Sequence, residues 1–168
     1  MPQRQTPSDR CLRRSGCPPL RYFLDTEFNG IGGALLSLAL VPDDGEELYI
    51  TLKTEDPIIA WVQDHVIPYL DMVPHQLSWP RLDRAVAADA VERYLRHDDQ
   101  PVIVADWPED VAQMCNLMIT GPGDMIDVRD VTFRILPLSN FSTAANSEVP
   151  HNALHDARAL REHYRSME

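Results

Sequence analysis

Cationic side chains are scarce in this 168-residue chain, where 15 Lys and Arg stand against 26 Asp and Glu, for a formal net charge of −11. Non-specific binding to a nucleic-acid duplex needs a basic stripe that exchanges with counterions, and a chain this acidic cannot carry one over its whole surface. Any polyanionic partner must be gripped locally, and bound divalent cations could supply the positive field. Cysteine is also rare. Cys11, Cys17 and Cys115 are odd in number and hold no close metal-binding pair, which argues against a disulfide framework or a zinc cluster. Cys115 is expected in the core. No apolar run approaches the roughly 18 to 20 residues that span a bilayer, so no membrane partner is expected. Repeats and low-complexity tracts are lacking as well. Residues 1–20 carry Arg4, Arg10, Arg13 and Arg14 without the apolar segment of a secretory signal. They read as a disordered basic leader on a cytoplasmic protein, leaving 21–168 as one domain.

What is present is 44% hydrophobic content, enough for a single core. The run Arg21 to Phe28, the turn residues Asn29-Gly30 and Gly32-Gly33, and the run Ala34 to Val41 predict a hairpin. The three glycines fit that turn better than a phosphate cradle. Asp43-Asp44-Gly45 makes the next turn, and Glu47 to Lys53 reads as a third strand with Leu48, Ile50 and Leu52 on one face. Asp56-Pro57 predicts a helix start, with Ile59, Val62 and Val66 as its apolar stripe and Pro68 as its stop. A longer helix is expected from about Leu82 to His97, with Val86, Ala90, Val91, Tyr94 and Leu95 inward and Arg84, Arg93 and Arg96 outward. Pro101 to Ala105 is short and β-branched, as a strand buried on both faces should be. A helix over Glu109 to Met118, a strand over Met125 to Leu136, a polar loop over 137–149 and an amphipathic helix over His151 to Met167 complete the chain. The order predicts an α/β domain with a mixed sheet, three antiparallel strands followed by parallel ones, flanked by helices.

On a strand, residues two apart share a face, so Asp25 and Glu27 project together while Thr26 turns away. Burying two acids side by side is expensive without a cation, and Leu24 and Phe28 imply burial around them. Oxygen ligands of this kind suit magnesium or manganese. A third acid should come from the start of the helix after Ala105, either Asp106 at the strand end or Asp110 in the first turn. Each also has a local alternative, Asp106 as a cap and Asp110 as a partner of the helix dipole. Asp156 lies one turn into the last helix beside the small Ala157. His151, five residues earlier, has an ordinary pKa suited to general-base work. His155 faces elsewhere and is assigned to packing or surface.

Taken together, Asp25-Thr26-Glu27, Ala105-Asp106-Trp107-Pro108-Glu109-Asp110 and His151-Asn152-Ala153-Leu154-His155-Asp156-Ala157 resemble the three motifs of the DEDDh 3′-to-5′ exonucleases, which have a ribonuclease H-like fold. The last matches best, the family pattern being His, two residues, Leu, one residue, Asp-Ala. In the second motif the ligand follows an Asn by four residues, so the resemblance selects Asp110, with Asp106 as fallback. Glu109 departs from the family, standing where an aromatic usually precedes the acid, and residues 137–149 match nothing in it. Tyr22 to Phe28 and Trp61 to Pro68 are similar to the small bacterial ribonuclease AS-like exoribonucleases.

The resemblance implies that Asp25, Glu27, Asp110 and Asp156 bind two Mg2+ or Mn2+ ions and that His151 is the general base. Its implied partner is the 3′ end of single-stranded RNA, with Phe28 and Asn29 against the terminal nucleotide and 5′ mononucleotides as products. The narrower resemblance implies adenylate-containing ends and a homodimer. Competing expectations are a DNA-directed 3′-to-5′ exonuclease, a non-catalytic nucleic-acid-binding module that keeps the fold, and a structural acidic protein. Lys53, Arg81, Arg84, Arg129 and Arg134 are the cations available to phosphates outside the leader and the last helix.

Overall fold

A computed structural model describes residues 20–136 and 141–168. The leader, save Leu20, and positions 137–140 of the expected loop lie outside the described residues. Strands β1 (Arg21–Phe28) and β2 (Leu35–Pro42) form the expected hairpin, and β3 (Leu48–Thr51) follows antiparallel to β2. All eight residues of β2 are buried, and its sequence is accordingly apolar on both faces except at Ser37.

Helix α1 (Ala60–His65) starts later than Asp56-Pro57 predicted, and no side chain caps it. The reason is Asn29, whose Nδ2 donates to the Pro57 carbonyl at 3.0 Å while its Oδ1 accepts from Ile59 N at 3.0 Å. That clasp holds residues 57–59 extended and leaves Ile59 exposed. Pro68 sits inside a 3-10 turn, Ile67–Tyr69. Helix α2 (Arg84–Leu95) buries Ala87, Ala88, Val91 and Leu95. Val86, expected inward, is 45% exposed instead, because the paired alanines set the face that approaches the sheet closely. Arg93 and Arg96 point outward into i,i+4 pairs with Asp89 and Glu92.

Strand β4 (Val102–Ala105) leads into α3 (Pro108–Met118), on which Cys115 is half-buried rather than in the core. The strand expected over Met125 to Leu136 is broken. A small ribbon of β5 (Ile119–Gly121) and β6 (Asp124–Met125) precedes β7 (Thr132–Ile135). Ile126 N bonds back to Met118 O, Asp127 N to Glu92 and Arg129 to Asp99, so residues 126–129 are pulled out of any ladder. The predicted polar loop contains a short helix, α4 (Thr143–Asn146), capped by Ser142. The last helix, α5 (Ala153–Ser166), begins two residues after His151.

The main sheet runs β3-β2-β1-β4-β7, with β1 at its centre and β1, β4 and β7 parallel. This is the α/β arrangement of a five-stranded mixed sheet flanked by helices. Tyr22 and Leu24 face α2 and α3, while Phe23 faces α5 together with Ala39, Val41, Leu154 and Leu160. Burying a side chain of that size contributes roughly 1.5 to 3 kcal/mol, so the two layers fix β1 firmly. No helix among the described residues is long and apolar enough to cross a membrane.

The hairpin turn closes through Asn29 N to Ala34 O and Gly33 N to Gly30 O, each at 2.8 Å. A Cβ at position 33 would lie 2.1 Å from the Asn29 carbonyl oxygen, a backbone atom that cannot swing away. Gly33→Ala is therefore expected to destabilise the fold by about 1 to 3 kcal/mol. Urea denaturation reads this directly, and an unchanged midpoint would mean the turn relaxes freely.

Candidate metal centre

The alternation of β1 carries the acids to their places. Asp25 and Glu27 continue the face of Phe23, towards α5, and Thr26 continues the face of Leu24, towards α3. Phe23 pairs with Val104 across the parallel ladder, so the same register two residues on brings Asp25 level with Asp106. A register shift between Glu27 and Phe28 ends the alternation just past the pair.

Two groups result. Ligand atoms of Asp25, Asp106 and Asp110 lie within 4.8 Å of one another, and so do those of Glu27, His151 and Asp156. Every acid expected at the site is present, and the two candidates for the second motif both belong to it. Asp106 does not cap α3, whose N-cap, Trp107, makes no side-chain bond. Asp110 is oriented by Thr26, which donates to its Oδ1 from the backbone N at 3.0 Å and from Oγ1 at 2.7 Å. With Oδ1 so occupied, Oδ2 is the oxygen left for a cation. Thr26 turns away as expected, yet its turning away is what holds the third acid.

Asp156 is held by α5, which Asn152 starts. Its Oδ1 accepts from Leu154 N at 3.1 Å and His155 N at 3.5 Å, while its Nδ2 donates to Tyr69 O at 2.7 Å. Asn152 is fully buried, and sequence reading passed over it; an Asn just ahead of an apolar helical pattern is the signal that names a cap. His151 precedes the helix with φ 60, left-handed backbone that His tolerates better than most residues. Its N donates to Asp156 Oδ2 at 3.2 Å. The His151 ring meets Trp61 edge-on, centroids 5.2 Å apart at 85°, and Trp61 stacks on His65 at 4.8 Å. His155 is buried away from the cluster, its Nε2 3.0 Å from Met72 O, and serves packing as expected.

Electrostatically the site is strained. Burial, then the charges of Asp110, Glu27, Asp156 and Asp106, push the Asp25 carboxyl well above the carboxylate range. Burial raises Glu27 to about 8, with Asp156 and Asp110 adding to it, and raises Asp110 to about 7 and Asp156 to about 6. Asp106 is raised by burial too. His151 is lowered by burial and then by His65, which favours the neutral ring. Among the described residues Asp156 Oδ1 is buried without a hydrogen-bond partner. An orphaned oxygen, five crowded carboxyls and one imidazole fit a hard divalent cation.

The remaining expected residues divide. Phe28 is half-buried at the strand end, and the Asn29 amide is committed to the 57–59 clasp. Glu109 has a definite contact, accepting from Gly32 N at 2.8 Å and so tying α3 to the hairpin loop. The five candidate cations are all engaged: Lys53 with Asp83, Arg81 with Asp71, Arg84 with the Asn116 carbonyl, Arg129 with Asp99 and Arg134 with the Tyr164 hydroxyl.

Carboxyls whose pKa is raised by folding bind protons that the unfolded chain has lost. The contribution of these carboxyls to the stability of the metal-free protein is then full below about pH 4 and falls as pH rises towards about 8, where Glu27 ionises. Each pH unit over which one carboxyl stays protonated only in the fold amounts to about 1.4 kcal/mol. The melting temperature in chelator should fall across that range, and Mg2+ or Mn2+ should restore it, more so at the alkaline end. Overlaid scans with and without metal, or a metal-free Tm that climbs with pH, would contradict the cluster.

No protein-family model matches the chain, and comparison with curated proteins gives no match.

Proposed function

We propose that this protein is a divalent-metal-dependent 3′-to-5′ exonuclease of the DEDDh type, acting on the 3′ ends of single-stranded RNA. The observation that carries the proposal is the gathering of acids from β1, α3 and α5, with His151 from the turn before α5, into two adjoining groups, Asp25 with Asp110 in one and Glu27 with Asp156 and His151 in the other. The sheet, three antiparallel strands continued by two parallel ones, is compatible with a ribonuclease H-like fold and supports the same reading.

In this reading Asp25, Glu27, Asp110 and Asp156 hold two Mg2+ or Mn2+ ions, which when bound stabilise charge on the phosphate and make water a better nucleophile. The chain's own residues do the rest. His151, neutral near pH 7, takes the proton of the attacking water. Trp61 at its ring and the backbone bond to Asp156 hold it at the rim of the cluster. The bond between phosphorus and the 3′ oxygen of the penultimate nucleotide breaks, that oxygen takes up a proton, and a 5′ mononucleotide leaves. With the five cations engaged elsewhere, the grip on phosphate falls to the bound ions, and the role of stacking on the terminal base goes to Phe28 in this reading, as the resemblance implies. The preference for RNA, adenylate-containing ends and a homodimer follow the narrower resemblance alone. Glu109, the residue that most favoured a non-catalytic module, has a loop to hold, so its departure from the family pattern leaves the ligands intact.

Matched 5′-labelled RNA and DNA strands, digested with and without metal, test this. The expected result is a ladder that shortens from the 3′ end, faster on RNA, and only with Mg2+ or Mn2+. Asp25→Ala should abolish it with the fold intact. His151→Ala should slow turnover by about a hundredfold or more while the metal-dependent rise in Tm persists. Intact substrate in every lane, or equal trimming by Asp25→Ala, ends the assignment.

A further inference from the structure

Away from the carboxylates, α5 carries a buried group that packing satisfies only in part. The Nε2 of His155 lies 3.0 Å from Met72 O, and a carbonyl only accepts, so that nitrogen carries the proton and Nδ1 of the neutral ring is an acceptor. The side chain is 8% exposed, yet among the described residues Nδ1 has no hydrogen-bond partner. Beside it stands Glu148 Oε2, at 3.5 Å, a second acceptor. Two lone-pair groups thus face one another with no donor between them, which costs free energy until a donor arrives.

Both side chains line an open cleft of about 420 Å³ along α5. Phe141 and His163 form one wall, their rings stacked with centroids 3.8 Å apart and planes within 9°. The arginine of the cleft, Arg158, is committed to Glu47, to which it donates from Nε at 2.9 Å and from a terminal nitrogen at 2.5 Å. An anionic ligand therefore meets Glu148 without a compensating cation. A metal ion fits poorly as well, because among the described residues His155 and Glu148 belong to no group of three ligands. What suits the cleft is an aromatic ring that lies against Phe141 and supplies N–H donors to both acceptors.

We propose that this cleft binds a flat ring bearing two adjacent N–H donors on one edge, the edge that guanine and arylamidines share. The donors meet His155 Nδ1 and the Glu148 carboxylate, and the ring packs on the aromatic wall. The site is separate from the carboxylate cluster, and the inference is independent of the exonuclease reading.

The test is titration of the full chain with guanosine and, separately, with benzamidine, followed by calorimetry and by the imidazole resonances of His155 and His163. Saturable binding of at least one probe is expected, with both imidazoles shifting, and the tighter probe tells whether a neutral base or a cation is the better source of the edge. Removing a donor should weaken binding by about tenfold or more, so inosine, without the amine, should fall behind guanosine, and benzylamine, with a single ammonium, behind benzamidine. Adenosine presents an acceptor beside its amine and should not compete. Glu148→Gln lies on the exposed segment before α5 and should fold like the parent; it removes the charge and offers an amide donor to Nδ1, so either probe should bind about tenfold or more weakly. His155→Phe should abolish binding, and if that variant does not fold, Glu148→Gln carries the test alone. Failure of both probes, unchanged affinity in Glu148→Gln, or binding that leaves the two imidazoles unmoved would each overturn the proposal. RNA left intact in every lane would leave it standing while the nuclease assignment fell, and trimming by a protein that binds neither probe would do the reverse.

Discussion

Repulsion between buried carboxylates is the constraint around which this molecule is arranged. Asp25 and Glu27 occupy the central strand of the sheet, where water is largely excluded and where further acids approach from α3, α5 and the end of β4. Nothing in hydrophobic packing favours such a grouping, and each carboxyl in it is pushed above its ordinary range. The surrounding apolar layers must hold it closed. Phe23, Leu154 and Leu160 on one side and Leu24, Met114 and Leu117 on the other do so, all of them fully buried. Strain of this kind, kept by a core that otherwise agrees with its sequence, is a reason to look for function at the place where it is stored.

Much of this was legible in the residues. A hairpin is declared by turn chemistry between two apolar runs, and the two-residue period of a strand already puts Asp25 and Glu27 on one face. The spacing of His151 and Asp156 brings both to the entry of one helix, His151 in the turn just before it and Asp156 in its first turn. Local patterns of that kind survive folding because neighbours in sequence impose them. Local pattern could not choose between Asp106 and Asp110, and the fold brings both beside Asp25, Asp106 from just past the end of β4 and Asp110 from the first turn of α3.

What local pattern could not show are the long-range bonds. Asn29 looked like a turn residue and is one, yet its side chain also reaches residues 57 and 59 and delays α1. Val86 matched an apolar stripe, but the close approach of Ala87 and Ala88 rotated the helix away from it. The strand over 125–136 broke because partners on α2, on α3 and before β4 claimed its middle. The delay of α1 and the broken strand have the same origin, a backbone or side-chain group satisfied by something far away in sequence, which periodicity does not record; that of Val86 lies in packing.

The division of the acids between β1 and α5 also bears on how the cluster comes together. The group of Glu27, His151 and Asp156 is completed by a helix more than a hundred residues after the strand that carries Glu27. In the unfolded chain these acids are apart and ionised in water; the packing of β1 with β4 and α3 brings Asp25, Asp106 and Asp110 together, and the docking of α5 against β1 adds Asp156 to Glu27. The full crowding of carboxyls is thus a property of the assembled tertiary structure and of no shorter piece of the chain.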